Sequence, residues 1–188
     1  MSIFMAHVVI FVLQIVQLVI CIFIVLDFYG SMKLRVPYLS VRKHVLLHLY
    51  REFNFSSESV VYDLGAGHGR VLSYLKKLSP TITAVGVEFA PLPWFIGTMR
   101  QFFSQKEQRI TLLYGDAQKV LLTPATHVFM YLSQKLTNKL AEKCVKELKP
   151  GTVVITCDFF IENKEPIKVV DCSVPTERLG RKLYVYQY

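Results

Sequence analysis

From Ile3 to Leu26 the chain carries no Asp, Glu, Lys or Arg, and His7, Gln14 and Gln17 interrupt an otherwise apolar run. As a helix, such a run extends about 36 Å, against a bilayer hydrocarbon core of about 30 Å. It is long enough to cross with some tilt, and too long for the apolar region of a signal peptide. No small-residue cleavage pattern follows it. Residues 1–28 therefore read as a retained single-pass anchor, with residues 3–26 in the lipid bilayer. A mean hydropathy of +0.35 is high for 188 residues, and most of the excess lies in this segment.

The charge on the far side of the run fixes its expected direction. Lys33, Arg35, Arg42, Lys43 and Arg51 follow it, with no acidic residue between Tyr29 and Arg51. The positive-inside rule places that flank and the rest of the chain in the cytoplasm of a bacterium, or on the matrix side of a mitochondrial inner membrane. Asp27 is the one charged residue before position 29, so all 22 basic residues and 13 of the 14 acidic ones lie beyond it. This basic balance suits an anionic membrane surface, an acidic partner or a nucleic acid. Cys21, Cys144, Cys157 and Cys172 are scattered, which implies neither a metal site nor a disulfide framework and fits a reducing compartment.

Residues 29–54 read as a basic linker containing Gly30 and Pro37, then a helix capped by Ser40 and running to about Phe53. Residues 55–188 alternate between strand and helix patterns. Strands are expected at 60–62, 84–87, 110–114, 127–132 and 152–156, with helices at 69–78, 93–105 and 134–148 between them. Apolar strands alternating with helices imply an α/β domain with a parallel sheet covered on both faces. The chain ends differently: residues 168–174 and 182–188 are two strand-like runs with no helix between them. They predict a terminal antiparallel hairpin on the sheet edge.

Three strand ends carry chemistry. The first strand runs into Asp63-Leu64-Gly65-Ala66-Gly67-His68-Gly69-Arg70 and then a helix. Glycines permit a tight turn and close approach of a ligand, and a helix start offers N–H groups. Dinucleotide sites place G-x-G-x-x-G here; this chain has G-x-G-x-G with a carboxylate two positions ahead. Asp63 repels a pyrophosphate and suits a cationic ammonium group. Glu88 ends the second strand, where an acidic side chain can accept from both ribose hydroxyls of a nucleoside. Asp116, in Gly115-Asp116-Ala117 after the third strand, can accept from an adenine amino group, although an Asp here also reads as a helix N-cap. Ligands in such sheets lie at the carboxyl ends of the strands, and three acidic tips in sequence order form the strongest signal in the chain.

On these residues the chain resembles the class I S-adenosylmethionine (SAM)-dependent methyltransferases, over roughly residues 36–188. Leu148-Lys149-Pro150-Gly151 resembles the turn before their fifth strand. The resemblance implies a Rossmann-like, mostly parallel sheet with a C-terminal antiparallel hairpin. It implies SAM as cofactor, with Asp63, Gly65, Ala66, Gly67 and Gly69 at its methionine end, Glu88 and Phe89 at the ribose, and Asp116 and Ala117 at the adenine. An N-terminal membrane helix, Val36-Pro37-Tyr38 and Asp-Leu-Gly-x-Gly-x-Gly-Arg are together similar to the membrane-anchored protein-lysine methyltransferases. Their known members modify the ATP synthase c subunit and the adenine nucleotide translocase. This chain departs from that group at His68, where Asp is common, and in Met130-Tyr131-Leu132-Ser133 after the fourth strand.

Tyr131 at the tip of the fourth strand is the candidate for lining the transfer site, and it reads equally as an ordinary buried Tyr. Asp158 and Phe159, after the fifth strand, are placed to bound an acceptor channel. The Asp- or Asn-Pro-Pro-aromatic motif typical of amino-base methyltransferases is absent, which argues against nucleic acid as acceptor. The expected substrate is a protein lysine in or near the membrane. A lipid or small-molecule acceptor, a SAM-binding non-catalytic assembly factor and a nucleotide-binding oxidoreductase are the alternatives, the last disfavoured by the G-x-G-x-G spacing. His44 and His48 have the i, i+4 spacing of two zinc ligands but lack a third ligand and a general-base Glu, so a surface helix is expected. Phe95, Phe102 and Phe103 are expected to pack the core.

Overall fold

Uniformly apolar strands must be covered on both faces, and the architecture follows from that requirement. The computed structural model describes residues 3–34 and 41–188, with side chains from Phe4 to Val25 in the first stretch. After helix α1 (Ile3–Leu34) and helix α2 (Lys43–Phe53), the order is β1 (Val60–Leu64), α3 (Arg70–Leu78), β2 (Thr83–Glu88), α4 (Pro91–Phe102), β3 (Thr111–Tyr114) and β4 (His127–Met130). Helix α5 (Gln134–Glu147), β5 (Val153–Cys157), β6 (Lys168–Asp171) and β7 (Lys182–Gln187) complete the chain. The seven strands form one sheet in the order β3-β2-β1-β4-β5-β7-β6. All pairings from β3 to β5 are parallel, and β7 is antiparallel to both β5 and β6. The expected terminal hairpin is present, with its second strand inserted between β5 and β6.

Side-chain alternation along the strands divides the core in two. Val61, Ala84, Phe129 and Ile155 join α2 and α3 through Val45, Leu49, Phe53, Leu72 and Leu75. Tyr62, Leu64, Val128, Met130 and Val154 face the other way and meet Leu140, Ala141 and Cys144 of α5. Strands β1, β2, β4, β5 and β7 thus supply both layers, which is why the central strands read as continuous apolar runs rather than as alternating ones.

The chain before β1 differs from the sequence expectation in detail. Helix α1 continues to Leu34, so residues 29–34 are helical rather than linker. Residues 35–40, with Val36-Pro37-Tyr38 and Ser40, lie outside the described residues. Arg42 occupies the N-cap of α2 without a side-chain hydrogen bond. His44 donates from Nε2 to the Gly180 carbonyl at 3.1 Å, and no His, Cys, Asp or Glu cluster fit for a metal occurs among the described residues.

The far end of α2 is fastened to the sheet by a buried imidazole. His127 Nε2 donates to the Phe53 carbonyl at 2.8 Å, and its Nδ1 accepts from Thr126 Oγ1 at 2.7 Å. Phe53 packs edge-on to the same ring with centroids 5.2 Å apart. Burial holds the imidazole pKa below its ordinary value. Phe53 is 1% exposed, and Phe53→Ala is expected to cost about 3–5 kcal/mol. Denaturant unfolding of the full chain in detergent, followed by circular dichroism, measures it.

Candidate functional site

The loop after β1 is shaped by its backbone before any ligand is considered. Gly65 and Ala66 both donate their N–H to the Val87 carbonyl, at 2.9 and 3.0 Å, so the turn folds over the end of β2. Gly65, Gly67 and Gly69 have φ of +86°, +56° and +78°, in the left-handed region that favours glycine. At Gly65 a Cβ would also lie 2.6 Å from Cδ2 of Leu132. An alanine there would be strained by its backbone conformation, and the tip of the Leu132 side chain would have to shift.

Strand register carries the three acidic residues to one rim. Asp63 stands opposite Gly86 on β2 and Phe129 on β4, and Glu88 opposite Tyr114 at the end of β3. The Gly115 N–H then donates to the Glu88 carbonyl at 2.9 Å, which sets Asp116 just beyond that end. Asp63 is only 3% exposed, and no described residue gives its carboxylate a hydrogen bond. Burial, and secondarily the Glu88 charge, push its pKa up to about 8. A buried carboxylate without a donor, beside a second carboxylate, fits a ligand that brings a cationic group.

The Glu88 carboxylate has a structural task as well. Oε2 accepts from the Gly67 N–H and Oε1 from the Ala90 N–H, both at 2.7 Å. It therefore ties the glycine loop to the start of α4. Phe89 beside it is half-buried. Asp116 Oδ1 accepts from the Gln118 N–H at 2.9 Å in a local turn, and Ala117 is half-buried next to it. Asp116 lies outside any helix, so the N-cap alternative does not apply.

Tyr131 and Asp158 meet across the neighbouring strand tips. The Tyr131 hydroxyl donates to Asp158 Oδ2 at 2.8 Å. The same carboxylate accepts from the N–H groups of Gly180, Arg181 and Lys182, at 2.7, 2.7 and 3.2 Å. Asp158 itself has φ +60°, uncommon for a residue with a side chain. Its carboxylate holds together the end of β5, the turn into β7 and the Tyr131 ring. The sequence reading missed this clamp; the turn residue Gly180 ahead of the last strand was the signal available. Burial, then the bond to Asp158, raise the Tyr131 phenol pKa well above its ordinary value, so the hydroxyl keeps its proton. Phe159 packs near the Tyr131 ring with centroids 6.4 Å apart.

The two groups fall on opposite sides of the point where strand order reverses, between β1 and β4. That crevice is where ligands bind in open α/β sheets. A glycine loop after β1, acidic tips on β1, β2 and β3, and an antiparallel β7 inserted beside β5 define a Rossmann-like class I methyltransferase.

Comparison with known proteins narrows the class. Residues 63–168 match the model of the ANTKMT methyltransferase domain. A protein-lysine N-methyltransferase from Saccharolobus islandicus is 30% identical over 156 residues, covering 80% of this chain and 92% of the relative. An RNA methyltransferase from Salinibacter ruber, solved with S-adenosyl-L-homocysteine, superposes with a TM-score of 0.71 at 23% identity over 79% of this chain and 93% of its own. A SAM-dependent methyltransferase from Geobacter sulfurreducens, also solved with S-adenosyl-L-homocysteine, gives 0.55 at 20% identity over 63% and 49%. The chain belongs to the ANTKMT methyltransferase-domain family and is a SAM-dependent methyltransferase.

Two outcomes test the site. Gly65→Ala is expected to abolish cofactor binding, measured by calorimetry, while the domain stays folded. The second concerns pH. The Asp63 pKa is raised in the folded chain from 3.8 to about 8. Folding without ligand therefore gains from Asp63 at low pH, and loses that gain as pH rises from about 4 to about 8. Asp63→Asn is expected to flatten the ligand-free stability profile in this window, with a limiting difference in slope of about 1.4 kcal/mol per pH unit. Thermal melts across that range, with and without the substitution, measure it.

Proposed function

We propose that this protein is a membrane-anchored methyltransferase that methylates a lysine of a protein in or near the bilayer. The observation that carries the lysine assignment is the relative from Saccharolobus islandicus, a protein-lysine N-methyltransferase that aligns over 80% of this chain. The anchor assignment rests on α1, whose segment Phe4–Val25 is long and apolar enough to cross a membrane and has no buried part. The charge flanking it favours a cytoplasmic or matrix placement of the domain. The domain organisation follows: residues 1–28 anchor, 29–54 connection and α2, 55–188 SAM-binding domain.

In this reading Asp63 pairs with the ammonium of SAM, and Gly65, Ala66, Gly67 and Gly69 pass beneath its methionine end. Glu88 accepts from the ribose hydroxyls with Phe89 beside it, and Asp116 and Ala117 meet the adenine. The cofactor supplies an electrophilic methyl group on a sulfonium. The work left to the chain is alignment, which can account for much of the rate in such a displacement. Tyr131, held by Asp158, accepts a hydrogen bond from the lysine amine and points its lone pair at the methyl carbon. Both groups are positioners: the phenol keeps its proton, and the Asp158 carboxylate already accepts four hydrogen bonds. The lysine proton leaves to solvent. No Asp- or Asn-Pro-Pro-aromatic run follows β4, which supports a protein acceptor over a nucleic acid base.

Tethering confines enzyme and acceptor to one plane and raises their effective concentration. Intact-mass analysis of membrane proteins, with and without the enzyme, is expected to show one or more 14 Da additions on lysine, where about 14 Da is the mass of a methyl replacing a hydrogen and the restricted search makes membrane proteins the richest pool. Unchanged protein masses with a methylated lipid would reject the lysine reading. Tyr131→Phe is expected to lower kcat by about ten- to hundredfold with SAM affinity unchanged. Asp63→Ala and Glu88→Ala are expected to remove SAM binding itself.

A further inference from the structure

Helix α4 packs on the sheet with one face and leaves much of the other exposed. On its packed side sits Gly97, where an added Cβ would lie 2.5 Å from Leu112 and 2.9 Å from the His68 carbonyl. The helix axis therefore lies directly on the glycine loop. The opposite face is a stripe at helical spacing, Phe95, Met99 and Phe102, which are 41%, 40% and 71% exposed. Phe103, the C-cap, extends it at 84% exposure. These rings were expected in the core. They are outside it because Gly97 and Trp94 already fill the side of α4 that meets β3, and the Trp94 Nε1–H donates to the Leu112 carbonyl at 3.0 Å.

We propose that this stripe is a second membrane contact, seated in the headgroup region of the leaflet from which α1 emerges. The proposal rests on the reading of α1 as a membrane span. Three observations select a lipid surface as the occupant. The stripe is continuous with the span: Phe23 of α1, two residues inside its end at Val25, packs on Phe95 with ring centroids 5.4 Å apart. From there the stripe runs to Phe102 and Phe103, its most exposed rings. Second, the side of the helix turned away from the stripe is cationic. Helix α4 has no acidic residue, and Arg100 lines a groove of about 470 Å³ with His68, Arg70, Ser73, Gln101 and Ser104. Third, Arg109 lies against the exposed end of the helix, donating to the Ser104 and Phe102 carbonyls at 3.3 and 3.4 Å, so a guanidinium stands beside the most exposed rings. An apolar face with aromatic residues, bordered by Arg and Lys, is the composition of helices that lie in a bilayer interface. A patch of this size on a water-facing surface has no structural purpose of its own.

The consequence is orientation. A single span fixes the height of the domain but leaves it free to swivel, whereas a second contact on α4 fixes which way the strand tips face.

The full chain, reconstituted in phosphatidylcholine vesicles with phosphatidylglycerol and a lipid carrying a photoactivatable diazirine in its acyl chain, tests this directly. After irradiation, peptide mass spectrometry is expected to find lipid adducts in residues 4–25 and again in residues 99–103. Val145 on α5, 70% exposed and away from the stripe, is expected to remain unlabelled. Adducts in 4–25 without any in 99–103 would overturn the second contact and leave the anchor standing. No adducts in 4–25 would instead remove the anchor reading. Labelling of Val145 equal to that of 99–103 would show mere proximity and overturn the proposal. In a Phe102→Glu, Phe103→Glu variant, loss of the 99–103 adducts is expected with the 4–25 adducts and SAM affinity retained. Persistence of the adducts in that variant would overturn the role of the two rings.

Discussion

Two hydrogen bonds to one carbonyl organise the cofactor side of this molecule. Because the N–H groups of Gly65 and Ala66 share the Val87 oxygen, the chain leaving β1 must turn across β2 rather than away from it. That turn places the Gly67 N–H over Glu88, whose carboxylate then ties the loop to Ala90 at the entrance of α4. It also leaves Asp63 enclosed between β2 and β4 with no donor among the described residues. A carboxylate in this position destabilises the empty domain when ionised and becomes favourable once a cation arrives. The loop thus stores its affinity for a positive group in a group that the free protein keeps protonated near neutral pH.

The proposed acceptor side is built on a different principle. There the fold supplies hydrogen bonds in excess: one carboxylate, Asp158, collects three backbone N–H groups and a phenol. Such a saturated group is rigid and poorly suited to exchange protons. The site as a whole pairs an undersatisfied carboxylate with an oversatisfied one, on either side of the strand-order reversal. In the proposed function, this division separates holding a charged cofactor from aiming a neutral nucleophile.

Much of this was legible in the sequence because the signals were periodic or positional. Apolar strands alternating with helices announced a parallel sheet, and a missing helix between residues 174 and 182 announced the hairpin. Asp63, Glu88 and Asp116 stood out through their places at successive strand ends, and the register confirms that those places are adjacent. Contacts between distant segments were not legible. Nothing local to Glu88 indicates that it binds Gly67, nor does anything near Asp158 reveal that its partners lie at 180–182. The aromatic residues of α4 misled for a physical reason. Periodicity locates an apolar stripe but cannot tell whether core or lipid lies opposite it, and in α4 the packed side is marked by the small Gly97 instead.

The Asp158 clamp has a consequence for how the chain ends. Its backbone donors sit at the entry to β7, and β7 is the strand that borders β5. The last strand is therefore a latch on Tyr131 as well as an edge filler: until residues 180–182 have arrived, Asp158 lacks most of its partners and the phenol has no fixed anchor. The pocket wall is completed only when the final stretch of polypeptide is in place. A chain clipped ahead of β7 lacks these donors and, in the proposed function, has no finished surface on which to receive an acceptor.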